Sequence, residues 1–207
     1  MRVQIIIFDG FDEMDGVAPY EVFQFAAAKV KDLVVQLVTV HDPRPVKGQH
    51  GLIITPQAKF DATARDSLVI VTGGGWLRPE TEPGVKKEIA SGVIPEALRN
   101  AAAAGATVTS VCTGAMLLAA AGLTKGRRAV THWLAIDDLA KTGACITYAR
   151  VVDDDNIVTA GGVTSGLDLA LWLVERFYGA PISQWVASIM EHGRRAPIAI
   201  PGFPPVP

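Results

Sequence analysis

Apolar and polar positions are grouped along this chain in blocks of two lengths. Five short runs rich in β-branched residues, at 3–8, 34–40, 68–72, 107–111 and 157–160, end in glycine or polar turns and predict buried strands. Longer segments with helical spacing lie between and after them, at 19–30, 85–104, 113–121, 134–142, 165–178 and 182–192. Gly105, Gly122, Gly143 and Gly179 stand where these helices should stop, since helices commonly end on a left-handed residue. The stretch 151–160, with Asp153-Asp154-Asp155-Asn156 between apolar pairs, predicts a hairpin with an acidic turn.

Strands that alternate with helices predict an α/β fold: a doubly wound, mainly parallel sheet with helices on both faces, because parallel neighbours need crossover connections. With 207 residues, 49% of them hydrophobic, the chain reads as one domain over 1–207 with a Pro-rich tail at about 197–207. A formal net charge of -2 with scattered basic residues argues against a nucleic-acid partner. No apolar run reaches the roughly 20 residues that span a bilayer, and residues 3–8 read as a strand rather than a leader. Two cysteines in unlike contexts, Cys112 and Cys145, suggest neither a disulfide framework nor a zinc site. A soluble, cytoplasmic protein is expected.

Ligands bind at the carboxyl ends of the strands in such a sheet, so the segments that follow three strands matter most. These are Asp9-Gly10-Phe11-Asp12-Glu13-Met14-Asp15, Gly73-Gly74-Gly75 and Cys112-Thr113-Gly114. The third leaves no room for a loop between a β-like run and a helix-like one, so Cys112 must occupy the turn itself, as a nucleophile elbow does. A helix N-terminus there predicts a thiol that titrates below an ordinary cysteine; the alternative is a small buried hydrophobe. The glycine run suggests either close approach of backbone to a ligand or a mobile turn. Asp15, read alone, is a helix cap, and Cys145 is a packing residue.

Two longer runs carry a resemblance. The run 110–133 opens Ser110-Val111-Cys112-Thr113-Gly114 and closes Thr131-His132-Trp133; the run 158–170 contains Gly161-Gly162-Val163-Thr164-Ser165-Gly166. Together they resemble the DJ-1/PfpI superfamily, and within it isonitrile hydratases and the amidase-like sensor domains of AraC-type regulators. The resemblance implies a flavodoxin-like fold, a homodimer, an elbow cysteine at Cys112, a catalytic aspartate at Asp15 and a following threonine at Thr113. Members with protease, deglycase or glyoxalase-like activity often have histidine directly after the cysteine, and threonine stands there in this chain. His132 belongs to the matching motif, where a structural hydrogen bond is favoured over catalysis; His41, His50 and His192 match no catalytic motif.

The activity so implied is hydration of a small-molecule isonitrile to an N-substituted formamide through a thioimidate on Cys112, with no metal or organic cofactor. Backbone N–H groups near Gly74, Gly75 and Thr113 are candidate charge stabilisers, and Phe11, Trp76, His132 and Trp133 are candidate pocket residues. The rival readings are a non-catalytic ligand-binding module, an enzyme acting on a carbonyl or amide, and a thiol sensor of peroxide.

Overall fold

The computed structural model describes residues 1–194 and 198–200. In chain order the elements are β1 (Arg2–Ile6), α1 (Glu13–Ala27), β2 (Val34–Thr39), β3 (Val46–Lys47), β4 (Ile53–Ile54), β5 (Ala58–Lys59), β6 (Ser67–Val71), α2 (Val85–Ser91), α3 (Val93–Ala103), β7 (Thr107–Ser110), α4 (Gly114–Ala120), β8 (Arg128–Ala129), α5 (Ile136–Lys141), β9 (Cys145–Ile146), β10 (Val151–Asp154), β11 (Ile157–Ala160), α6 (Ser165–Tyr178), α7 (Ala180–Ile189) and β12 (Ile198–Ala199). Eight strands form the main sheet in the order β12-β10-β11-β7-β6-β1-β2-β5. Every neighbouring pair is parallel except β10 with β11, which gives the expected α/β architecture.

The central strands are apolar throughout because both faces of a parallel sheet are covered; all five residues of β6 are buried. Helices α1, α6 and α7 pack together on one face, and α2, α3 and α4 on the other. The pairing sets Ile6 beside Val71 and Val71 beside Ser110. Three adjacent strands therefore end level, and the segments after them meet at one edge of the sheet.

Several boundaries differ from the sequence expectation, each for a local reason. Helix α1 begins at Glu13 rather than at Pro19: the Asp12 carboxylate caps it by accepting from Met14 N–H at 3.1 Å, and Pro19 lies inside the helix. The segment 85–104 is two helices, because Gly92 adopts φ 73° and closes α2 before opening α3. The segment 134–142 starts with a 3-10 turn, Trp133–Ala135, and the last helix runs Ala180–Ile189 rather than 182–192. The two-residue strands β3, β4, β5, β8, β9 and β12 are too short to print a period on the sequence. Part of the anticipated tail, Ile198–Ala199, pairs with β10 at the sheet edge, whereas 197 and 201–207 lie outside the described residues.

The acidic hairpin forms as expected between β10 and β11. Its buried Asp153 accepts from Trp172 Nε1 at 2.8 Å and from the Arg176 guanidinium at 2.9 Å, which ties the hairpin to α6. Burying a carboxylate is tolerated only with such charge-assisted bonds.

Helix α4 approaches β6 closely. A Cβ built on Gly114 would stand 2.5 Å from Val71 O and 2.9 Å from Thr72 O. Backbone cannot yield as a side-chain tip does, so Gly114→Ala should destabilise the protein by about 1–3 kcal/mol. A matching fall in the urea midpoint with an unchanged m-value would confirm it.

Candidate active site

Cys112 sits between β7 and α4 with φ 57°, a left-handed conformation that a non-glycine residue adopts only when its surroundings impose it. They do so from three directions. Its N–H is shared between Ala160 O at 3.1 Å and Gly161 O at 3.0 Å, at the end of β11. Its carbonyl accepts from Thr131 Oγ1 at 2.9 Å. The chain cannot continue the strand, and the side chain is delivered to the carboxyl edge of the sheet. The backbone N–H groups of Thr113 and Val163 lie near the sulfur and act to favour its thiolate.

Asp15, in the first turn of α1, stands behind that sulfur and is fully buried. Its Oδ2 accepts from Gly73 N–H at 2.9 Å. Its Oδ1 has no well-formed hydrogen bond among the described residues, and the Cys112 thiol is the side-chain donor that interacts with this carboxyl. Burial, reinforced by the charge of Asp12, pushes Asp15 well above the usual carboxylate range. Burial also pushes the Cys112 thiol up, and the charge of Asp15 adds to it; these outweigh the two N–H groups. The low-titrating thiol expected from an elbow is thus corrected: in this closed site desolvation is the larger effect. Two such acids side by side titrate as a coupled pair, and once one of their two protons is lost they share the other.

The glycine run is hemmed in by other backbone. A Cβ on Gly73 would lie 2.5 Å from Thr113 N, and one on Gly74 would overlap Asp12 N. The three amides are also committed to the protein. Gly73 donates to Asp15, Gly74 to Thr113 Oγ1 at 3.0 Å, and Gly75 to Gln49 Oε1 at 2.9 Å. The N–H groups at the sulfur belong instead to Thr113 and Val163.

A cavity of about 220 Å³ opens above the thiol, lined among others by Gln49, Trp76, Arg78, Cys112, His132 and Val163. Thr113, Gly74 and Gly75 also reach it. Phe11 does not: it is fully buried in the core and packs under Gly16. Trp133 does not either; it is 75% exposed and lines a neighbouring cavity of about 410 Å³ with Tyr148. His132 caps the 3-10 turn by accepting from Leu134 N–H on Nδ1 at 3.2 Å, which puts the proton of the neutral ring on Nε2. Burial holds His132 below its usual range, in the neutral form. Cys145 is exposed in β9 rather than packed, since a two-residue edge strand leaves it facing solvent.

Sequence reasoning missed Gln49, Arg78, Asp12 and Val163 as site residues. Gln49, after β3, bonds Asp12 Oδ2 at 2.5 Å and Gly75 N–H with one amide, and its carbonyl accepts from Arg78 at 3.1 Å. It thereby joins three loops at the cavity mouth. Only the Gly161-Gly162 pair before Val163 offered a local signal. Gly162 has no side chain because the His132 ring occupies that space.

The raised Asp15 has a consequence for stability. Above its ordinary value of 3.8 the unfolded chain releases a proton that the folded state retains, so stability falls as pH rises towards the folded value. Asp15→Asn removes that dependence. Wild type should lose up to about 1.4 kcal/mol per pH unit relative to the variant within this window, read from urea midpoints between about pH 4 and about pH 8.

Comparison with known proteins agrees with this geometry. A model described as the DJ-1/PfpI family matches residues 1–176. The chain is 34% identical over 197 residues to the isonitrile hydratase of Pseudomonas putida, covering 95% of this chain and 81% of that one. It is 28% identical to the HTH-type transcriptional regulator CdhR of Pseudomonas aeruginosa, covering 93% of this chain but 55% of the regulator. The crystal structure of a ThiJ/PfpI family protein from Pseudomonas syringae superposes with a TM-score of 0.77 at 30% identity, over 95% of this chain and 76% of that one. With its elbow cysteine, its level strand ends and these likenesses, the chain belongs to the DJ-1/PfpI family.

Proposed function

We propose that the protein hydrates an isonitrile to an N-substituted formamide, with Cys112 as nucleophile and Asp15 as the proton carrier. The observation that carries this reading is the buried pair: the Cys112 sulfur on its elbow beside the fully buried Asp15 carboxyl, which Gly73 N–H holds at 2.9 Å and burial pushes above the usual carboxylate range. Likeness to an isonitrile hydratase over 95% of the chain supports it.

From the pair that has lost one of its two protons to solvent and carries the other on Asp15, the Cys112 sulfur, as thiolate, adds to the terminal isonitrile carbon, and that carbon takes the proton held by Asp15. The product is a thioimidate, Cys–S–CH=N–R, with Asp15 as carboxylate. Asp15 then accepts a proton from water as the hydroxide adds to the thioimidate carbon. The second water hydrogen remains on the new oxygen until it passes to nitrogen as the carbon–sulfur bond breaks. Formamide leaves, and the thiolate and protonated Asp15 are restored. Thr113 and Val163 N–H groups favour the sulfur as thiolate, at the start of the cycle and again as the carbon–sulfur bond breaks, and His132 borders the cavity. Trp76, Leu134 and Val163 suit the apolar body of such a substrate. Its chemistry requires no cofactor, and a cytoplasmic setting suits an enzyme whose thiol must stay free.

The same reading includes a homodimer. Met14, Val17 and Leu52 are exposed apolar residues, and with Leu167 and Met190 they line an open groove beside α1. Sedimentation at micromolar concentration should give twice the chain mass of 21.9 kDa; a species of the single-chain mass would refute it.

Cys112→Ala should abolish turnover of a simple alkyl or aryl isonitrile, by at least about a thousandfold. Asp15→Asn should lose nearly as much although the thiol remains, because the two act as one unit. Single-turnover assays with intact-mass detection of the thioimidate read both steps. Near wild-type turnover by Cys112→Ala would overturn the reading.

A further inference from the structure

We infer that the cavity above Cys112 takes a compact substrate bearing a carboxylate a few bonds from its reacting carbon, and that Arg78 recognises that carboxylate. This rests on the isonitrile reading for the reacting end and on the following geometry for the other end.

Arg78 lines the same cavity of about 220 Å³ as Cys112. Its guanidinium is fixed by neutral acceptors from two loops: one terminal nitrogen donates to Gln49 O at 3.1 Å, the other to Pro83 O at 3.4 Å. Its own backbone N–H donates to Gly75 O at 2.9 Å, so the residue is anchored at both ends. Among the described residues it forms no ion pair. A guanidinium has five donors, and two carbonyls leave charge and donors for an anionic guest.

Asp12 also lines the cavity, and both of its oxygens, like Oδ2 of Asp15, are hydrogen-bonded within the protein rather than to Arg78. Asp12 accepts from Met14 N–H on one oxygen and from Gln49 Nε2 on the other, and Asp15 is held behind the sulfur by Gly73. Lys86 Nζ stands 5.1 Å from the centre of the Trp76 ring, itself a lining residue. The remaining wall, Trp76, Leu77, Leu134 and Val163, offers apolar contact to the body between the two ends. Typical ligand pockets hold roughly 300–1,000 Å³, so a carboxylate at Arg78 and an electrophilic carbon at Cys112 must belong to one small molecule.

Alkylation of the thiols tests this without relying on isonitrile chemistry. Iodoacetate and iodoacetamide react alike: the thiolate sulfur forms a bond to carbon, the carbon–iodine bond breaks, iodide leaves with the electron pair, and the thiol proton passes to solvent. They differ in carrying a carboxylate or a neutral amide. The iodoacetate-to-iodoacetamide rate ratio is measured at Cys112 by peptide mass and divided by the ratio at exposed Cys145 in the same sample. In wild type this quotient should exceed one by roughly tenfold. In Arg78→Gln it should fall towards one, and Arg78→Lys should keep part of the preference. General loosening of the loops changes both reagents together and cancels. A wild-type quotient at or below one, or a quotient unchanged in Arg78→Gln, would overturn the inference. Turnover of isocyanoacetate against its methyl ester separates the two readings. No turnover of either with the quotient intact rejects isonitrile hydration and leaves carboxylate recognition standing. Turnover that favours the ester, with a quotient of one, rejects Arg78 alone.

Discussion

The left-handed backbone at Cys112 is the constraint on which the site depends. Such a conformation costs about 1–3 kcal/mol for a residue with a Cβ, and it persists because hydrogen bonds from β11 and Thr131 clamp the peptide on both sides. Relaxing it would swing the sulfur out of reach of the Val163 amide and away from Asp15. The strand registers serve the same end, since they bring the loops after β1 and β6 level with the elbow.

Once the sulfur is fixed, burial decides the chemistry. An exposed elbow would favour a free thiolate through its helix N-terminus. Buried at the floor of its cavity and backed by a carboxyl, the same elbow instead produces a pair that is reluctant to carry charge. Such a pair suits a step in which one group gives a proton while the other supplies electrons. A lone activated thiol would have the second property and not the first.

The strands, the elbow and the hairpin were legible because each leaves a mark within about ten consecutive residues: a β-branched run, a strand without a loop before its helix, or an acidic turn. Asp15 stood out by its expected place at the same sheet edge as Cys112, but its catalytic role came only through resemblance, since an aspartate at a helix start reads as a cap and the actual cap is Asp12. Pro19 misled about the start of α1 because proline favours first turns, whereas the hydrogen bond of Asp12 decides it. Phe11 and Trp133 show the limit for aromatics: composition identifies a wall residue but not which way it faces. Gln49 and Arg78 were invisible for a different reason. Each lies in its own loop, and their meeting exists only once β3, β6 and α1 are in place.

The crossing of three backbones, at Gly73-Gly74, Asp12 and Thr113, also determines where inheritance can act on this protein. Any side chain added at Gly73 or Gly74 collides with main chain, so those two positions are closed to drift. Just beyond it, Trp76, Leu77 and Arg78 form the projecting tip of the same loop and line the cavity. Exchanges at that tip leave the elbow undisturbed. Descendants of one ancestral sequence can therefore diverge in what they accept while keeping the same reacting sulfur, with new diets arising from a handful of codons.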